Sequence, residues 1–275
     1  MIIEKIKLLL SQEETTNVFK KNLVKEYIQA PILTFLYSNK KYQNLIFYGG
    51  SCLRYCFDLP RLSEDLDFIN LNKKRKTDLI SMAEDIKKFF EQKFNLKISA
   101  KIQNFRIYLK FPILNKLNLA HKPESNFLII KIEISENSEF LKNPQIRIIP
   151  IFKFDESILI KTFDISTLMA TKINAILHRK WEKIDKITQK TIIKVKGRDY
   201  FDLMWYLDKK IKPNVKYILD IKNKTNLKKN LLNKINNLDN RSIELDLKPL
   251  IKDQKFVKNL SKNIKQILRK QLEEI

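Results

Sequence analysis

The sequence predicts an α+β fold: a sheet flanked by helices within residues 1–160, followed by a helical domain over residues 161–275. Three observations predict it. Segments between residues 96 and 154 alternate apolar and polar side chains with the period of two that strands require. From Thr162 onward the apolar residues recur instead at spacings of three and four, the period of a helix. Between the N-terminus and the first of these regions, residues 45–70 (LIFYGGSCLRYCFDLPRLSEDLDFIN) read as strand, glycine turn, helix and second strand. A chain of 275 residues can bury a sizeable core, as one large domain or two smaller ones.

Residues 1–44 carry Leu8-Leu9-Leu10 and then Phe19, Leu23, Val24, Tyr27 and Ile28 at helical spacing. They are expected to form a helical cover on the sheet, with Pro31 breaking or starting a helix. The apolar run Leu45 to Tyr48 is a buried strand that stops at Gly49-Gly50, where a tight turn and a close backbone approach to a ligand become accessible. Ser51 is the expected N-cap of the next helix, with Arg54 in its first turn. A helix N-terminus exposes N–H groups and attracts anions, phosphate among them. Beyond Pro60 the chain turns through Arg61 and Ser63 into a strand carrying Asp65 and Asp67 on one face and Leu66 and Phe68 on the other. A phosphate cradle beside two carboxylates is a site for nucleotide phosphates and Mg²⁺, an ion that takes one or two carboxylates and completes its shell with phosphate oxygens. Neither Gly-Gly-Ser nor Asp-x-Asp is informative by itself. Their succession along strand, turn, helix and strand is.

Lys73, Lys74, Arg75 and Lys76 follow, a run that suits either RNA contact or a solvated helix start. Leu79, Ile80, Ala83, Ile86, Phe89 and Phe90 then mark an amphipathic helix. The strand candidates are LKISAKI, FRIYLKF, FLIIKIEIS and IRIIPIFKF. In the third, Ile130, Ile132 and Ile134 share one face and Lys131, Glu133 and Ser135 the other. That second face is either a plain exposed surface or the source of a further carboxylate, Glu133, for the site.

The helix FDISTLMATKINAILHRK places Lys172 and Arg179 on nearly one side. A polar stretch, 181–196, precedes Gly197-Arg198-Asp199-Tyr200-Phe201-Asp202-Leu203, where Asp199 and Asp202 share a helix face and Asp199 sits where a helix N-terminus favours negative charge. Residues 213–275 are rich in Lys, Asn and Leu and read as helices packed on the helical half. Their basic faces also suit an RNA acceptor.

The net charge of +23 favours a polyanionic partner, nucleic acid above all. The abundance of Lys, Asn and Ile against only nine Arg would also follow from an A/T-rich genome. The N-terminus lacks the apolar run of a signal peptide, and no stretch reaches the roughly 18–20 apolar residues of a membrane span. Cys52 and Cys56 read as small core hydrophobes in a reducing cytosol, and His121 and His178 are too isolated for a zinc site. A cytoplasmic protein is expected.

Gly49-Gly50-Ser51-x-Leu53-Arg54 followed by Arg61-x-Ser63-Glu64-Asp65-Leu66-Asp67-Phe68 resembles the nucleotidyltransferase superfamily with a DNA polymerase β-like core, and within it the AbiEii/AbiGii toxin family. Lys172-x6-Arg179 followed by Arg198-Asp199-x-x-Asp202-Leu203 resembles the second signature of that family, in the correct order. The stretch from Lys180 to Lys196 is longer than the usual form and is expected to be an extended helix or loop. The resemblance implies a polymerase β-like mixed sheet flanked by helices and a toxin of a toxin–antitoxin or abortive-infection system. It implies transfer of NMP from an NTP to an RNA acceptor, the tRNA 3′ end foremost, with a cognate antitoxin protein as a further partner. Acceptors of protein or small-molecule type, or an inactive nucleic-acid or partner-binding module, are the alternatives.

By the same resemblance Asp65, Asp67 and Glu133 would hold two Mg²⁺ ions, with Glu133 acting on the attacking hydroxyl. Gly50, Ser51, Arg54, Lys172 and Arg179 would bind the nucleotide, and Asp199 would join Lys172 in catalysis. Arg61, Ser63, Arg198 and Asp202 would support the site.

Overall fold

The computed structural model describes residues 2–72, 76–120, 123–136, 140–185 and 188–273. Of the basic run at 73–76 only Lys76 falls among them, and His121 falls outside them. The chain divides into two compact units, Met1–Glu139 with Ile146–Thr162, and Phe140–Gln145 with Phe163–Ile275.

The first unit opens with helices α1 (Ile2–Ser11) and α2 (Asn17–Ser38). Thr16 caps α2 by accepting a hydrogen bond from Phe19 N–H. Pro31 does not break this helix as the sequence led us to expect. It lies inside it, in a run from Tyr27 to Leu33 that is buried throughout, so packing offsets the lost backbone hydrogen bond. There follow β1 (Ile46–Tyr48), α3 (Gly49–Cys56), β2 (Asp65–Ile69), α4 (Leu79–Phe94), β3 (Ser99–Gln103), β4 (Arg106–Pro112), β5 (Phe127–Ser135), β6 (Ile146–Lys153) and β7 (Glu156–Phe163).

Among the described residues the strands form one seven-stranded mixed sheet in the order β3-β4-β5-β2-β1-β7-β6. β1 runs antiparallel to β2 and parallel to β7, while β2 runs parallel to β5. Pro150 is tolerated because β6 is the sheet's edge. The strand β7 escaped the sequence reading. Its turn is made by Phe154 and Asp155, both with positive φ, so the Gly or Asn that ordinarily marks a two-residue hairpin is missing.

The sheet's two faces differ. Leu66 and Phe68 of β2, Ile130, Ile132 and Ile134 of β5, and Ile107, Leu109 and Phe111 of β4 are buried and build the core. On the other face Asp65 and Asp67 of β2, Arg106 and Tyr108 of β4, and Lys131 and Glu133 of β5 are half-buried polar groups. Helix α4, capped by Asp78, adds Met82, Ala83, Ile86 and Phe90 to the core. Cys52 is a buried core residue, with its Sγ 3.0 Å from Thr162 Oγ1, whereas Cys56 is half-buried, and both are free thiols.

The second unit is chiefly helical: α5 (Ile165–His178), α6 (Gly197–Asp208), α7 (Lys224–Asn236), α8 (Asn240–Leu247) and α9 (Gln254–Glu273). Asp164 caps α5 through the N–H groups of Ser166 and Thr167. Between α5 and α6 the described residues of the longer stretch include a short antiparallel pair, β8 (Lys183–Ile184) and β9 (Thr191–Ile193), where an extended helix or loop was expected. Among the described residues no helix is long and apolar enough to cross a membrane.

Candidate active site

Strand β1 delivers the chain to Gly49, whose φ of +79° a side-chain-bearing residue adopts only with strain. A Cβ there would stand 2.5 Å from Asp67 Oδ2, and one on Gly50 would stand 2.7 Å from an Arg61 guanidinium nitrogen and 2.9 Å from Ser63 Oγ. The two glycines therefore let the start of α3 press against Asp67, Arg61 and Ser63.

Ser51 is not the N-cap of α3. The helix begins two residues earlier, at Gly49, and Tyr48 holds the cap position without a side-chain bond. Ser51 is buried, and its hydroxyl donates to the carbonyl of Asp65, which ties α3 to the carboxylate strand. Arg54 consequently falls in the last turn of α3. Its Nε lies 2.7 Å from the buried carboxylate of Glu26, and one terminal nitrogen donates to Leu59 O. Arg61 is 2 % exposed and donates to the carbonyl of Leu62, so it braces the turn from inside.

Asp65 and Asp67 lie together on the open face of the sheet, both half-buried. Parallel pairing sets Lys131 beside Asp65 and Glu133 beside Asp67, and antiparallel pairing sets Tyr48 across from Asp67 on the other flank. Glu133 thus reaches the neighbourhood the sequence reading gave it. Its carboxylate is engaged, however: Arg106 Nε lies 2.8 Å away and Lys131 Nζ 3.2 Å. The same Lys131 ammonium lies 3.0 Å from Asp65 Oδ2.

Burial opposes the charge on both partners, but mutual attraction prevails. The Glu133 carboxyl is held below its usual range by Lys131 and Arg106, and Lys131 is raised above an ordinary lysine by Asp65, Glu133 and Asp67. Neither Lys131 nor Arg106 was singled out from the sequence, because their roles arise from strand register.

This donor set suits a hard divalent ion, with one qualification from geometry. Asp65 and Asp67 supply two carboxylates on one face, with the Gly49 backbone packed directly against Asp67. Among the described residues no group of three or more His, Cys, Asp and Glu forms a ready cage. Mg²⁺ binding of the kind completed by phosphate oxygens and water is therefore what the residues fit.

In the second unit a buried cluster joins α5 and α6. Lys172 Nζ lies 2.7 Å from Asp199 Oδ1 and 2.8 Å from Asp202 Oδ2, and Arg179 donates to Asp199 Oδ2 at 2.9 Å. Asp202 is fully buried, and Asp199 and Lys172 are nearly so. Burial would push the Asp199 carboxyl up, but Lys172, Arg179 and Lys196 hold it well below the usual carboxylate range. Arg198 pairs with Asp246 of α8: its backbone N–H and Nε reach Oδ2 at 2.9 and 3.2 Å, and a terminal nitrogen reaches Oδ1 at 3.0 Å. Gly197 makes this fit, since a Cβ there would stand 2.9 Å from the Ile243 Cα. Asp246 gave no sequence signal, lying 48 residues from its partner.

The model of a family described as nucleotidyl transferase AbiEii toxin, type IV toxin–antitoxin system, matches residues 34–275. No curated protein matches the chain. Among solved structures the chain is similar to MenT4, a nucleotidyltransferase toxin of Mycobacterium tuberculosis, at 11% identity and a TM-score of 0.53 over 94% of this chain and 86% of that one. It is also similar to JHP933 of Helicobacter pylori at 18% identity and a TM-score of 0.49, over 92% of this chain and 94% of that one.

Proposed function

The chain belongs to the AbiEii nucleotidyl transferase toxin family of type IV toxin–antitoxin systems, and from that premise we propose that it transfers NMP from an NTP to an RNA acceptor, with the tRNA 3′ end as first choice. An antitoxin partner follows from the family. One observation carries the chemistry: Asp65 and Asp67 stand half-buried on one sheet face, beside a glycine turn that closes on Asp67. The +23 charge supports a polyanionic acceptor over a small cationic one.

In this reading the acceptor hydroxyl oxygen forms a bond to the α-phosphorus. The bond from that phosphorus to the β-bridging oxygen breaks, pyrophosphate leaves, and the hydroxyl proton passes to solvent water. Asp65 and Asp67 would hold Mg²⁺, which when bound supplies charge neutralisation at the phosphates and at the attacking oxygen. Glu133, in register with Asp67 and held anionic by Lys131 and Arg106, accepts a hydrogen bond from the acceptor hydroxyl and orients it. Its lowered pKa makes it a better acceptor than base. The backbone at Gly50 and Ser51 lies at the start of α3, where N–H groups attract the phosphates. The triphosphate role of Lys172, with Arg179 and Arg54 neutralising charge and Asp199 acting alongside, comes from the family signature. Asp202 fixes the Lys172 ammonium, while Arg61, Ser63 and Arg198 hold their surroundings in shape.

The test is label transfer with Mg²⁺, each α-labelled NTP and total bacterial RNA. Label on tRNA-sized RNA, absent with a folded Asp67→Asn variant, is expected. Label on protein instead would replace RNA as the acceptor, and undiminished transfer by Asp67→Asn would remove the carboxylate site.

A further inference from the structure

The second unit contains a cavity of about 610 Å³, within the roughly 300–1,000 Å³ of ordinary ligand sites. The end of α5, the segment through β8, the residues between β9 and α6, the start of α6 and the end of α7 all contribute to its wall. Five cations line it: Arg179, Lys180, Lys194, Lys196 and Lys234. The two carboxylates in the lining are already engaged. Asp199 is held by Lys172 and Arg179, and Glu182 accepts a hydrogen bond from Thr191 Oγ1 at 3.2 Å. Among the described residues, the four lysine ammoniums make no hydrogen bond or ion pair.

Lys196 is the half-buried member. Burial lowers its pKa, Asp199 opposes that, and Arg198, Arg179 and Lys172 add to the lowering. A cation crowded by cations in a partly dry wall is relieved by an incoming anion. The wall also carries Trp181, half-buried, with no aromatic ring stacked on it among the described residues.

We propose that this cavity seats a short single-stranded RNA segment, its phosphates on Lys194, Lys196 and Lys234 and a base stacked on Trp181. Cationic walls with an aromatic platform are how proteins hold single strands without reading their sequence. Cations drawn from separate elements suit a row of phosphates better than one compact triphosphate. An acidic peptide would use the lysines and leave the indole face without a partner. The inference deepens the RNA-acceptor reading and rests on it for its choice of polynucleotide.

The experiment is fluorescence anisotropy of a labelled six-nucleotide RNA with the full chain, Mg²⁺ and NTP omitted. Trp181→Ala is expected to weaken binding roughly 5- to 100-fold, and Trp181→Phe, which keeps a platform, to restore most of it. Lys194→Gln with Lys234→Gln should lower affinity and flatten the logarithmic salt dependence by about 0.7 for each phosphate left without its cation. Asp67→Asn should bind the oligomer like the wild type, so a failure of the transfer reading shows in that variant's transfer assay and a failure of the cavity in Trp181→Ala binding. Wild-type binding by both Trp181→Ala and the double lysine variant overturns the proposal. So does binding of a polyglutamate peptide in place of the oligomer.

Discussion

The Lys172 ammonium sits between two carboxylates of one helical turn, 2.7 Å from Asp199 Oδ1 and 2.8 Å from Asp202 Oδ2. The two acids do different work. Asp199 also receives Arg179, whereas Asp202 is fully buried with Lys172 as its ion-pair partner. Buried pairs contribute little net stability, but removing one partner strands the other and costs about 3–5 kcal/mol. Lys172 keeps Asp199 when Asp202 is removed, so Asp202→Ala should lower the unfolding free energy by less than that full amount, about 1–3 kcal/mol, read from urea denaturation. An unchanged midpoint would show that Lys172 finds its charge balance elsewhere.

Asp199 gives a pH dependence of definite sign. Its folded-state pKa is depressed, burial notwithstanding, by Lys172, Arg179 and Lys196. A depressed carboxylate contributes stability that is complete above the unfolded pKa, about 4 for Asp. That contribution is lost as pH falls toward the folded value. The stability difference between wild type and Asp199→Asn should stay flat at neutral pH and shrink below about pH 4. Unfolding curves at several acidic pH values measure it. A gap that widens on acidification contradicts the assignment.

Gly49→Ala tests the turn. It combines a φ of +79° with a Cβ placed 2.5 Å from Asp67 Oδ2, so the backbone must strain and the carboxylate must move. The strain costs about 1 kcal/mol. Displacing a catalytic group by about 1 Å costs on the order of 100-fold in rate. The expected variant is folded, slightly less stable, and nearly inactive in NMP transfer. Gly197→Ala is the contrast, because its Cβ would meet the backbone of Ile243 and the loss should appear first in thermal stability.

Lys131 offers a fourth test, independent of turnover. Its ammonium stands 3.0 Å from Asp65 and 3.2 Å from Glu133, where it offsets the negative charge that would attract a divalent ion. A unit charge at such range is worth on the order of 1–4 kcal/mol. Lys131→Gln should bind Mn²⁺ more tightly, roughly tenfold or better by the same measure, when titrated by electron paramagnetic resonance without nucleotide. Weaker Mn²⁺ binding would mean that Lys131 orders the carboxylates rather than competing with the ion.

The alternation around Asp65 and Asp67 and the apolar run before Gly49 made the sheet and its carboxylate face legible, because strand period and glycine placement are local signals. The two ends of the Lys172–Asp199 cluster were legible as a spaced motif. Three things were not. Ser51 has the chemistry of a cap, but Gly49 starts the helix early and turns that hydroxyl inward to Asp65 O. Arg54 reads as a cation near the phosphates, and its pairing with Glu26, far off on α2, left no sequence signal. Lys131 and Arg106 acquire their meaning only when β4, β5 and β2 align in register. Each miss is a tertiary pairing laid over a correct local element.

Arg198 and Asp246 show how such a pairing can be measured. The guanidinium meets both oxygens of Asp246, and the Arg198 backbone N–H adds a third bond. Both side chains are largely shielded, at 16% and 4% exposed. Lysine cannot reproduce the two-point contact, since its ammonium is a single compact charge. Arg198→Lys should thus recover only part of the loss in Arg198→Ala. A double-mutant cycle with Asp246→Ala should give a coupling energy of about 1–3 kcal/mol, because α6 and α8 are joined through this pair. The backbone N–H keeps its need for an acceptor whichever side chain stands at 198. Asp246→Ala should therefore be the more damaging single change, and equal effects of the two substitutions would show that the N–H bond contributes nothing.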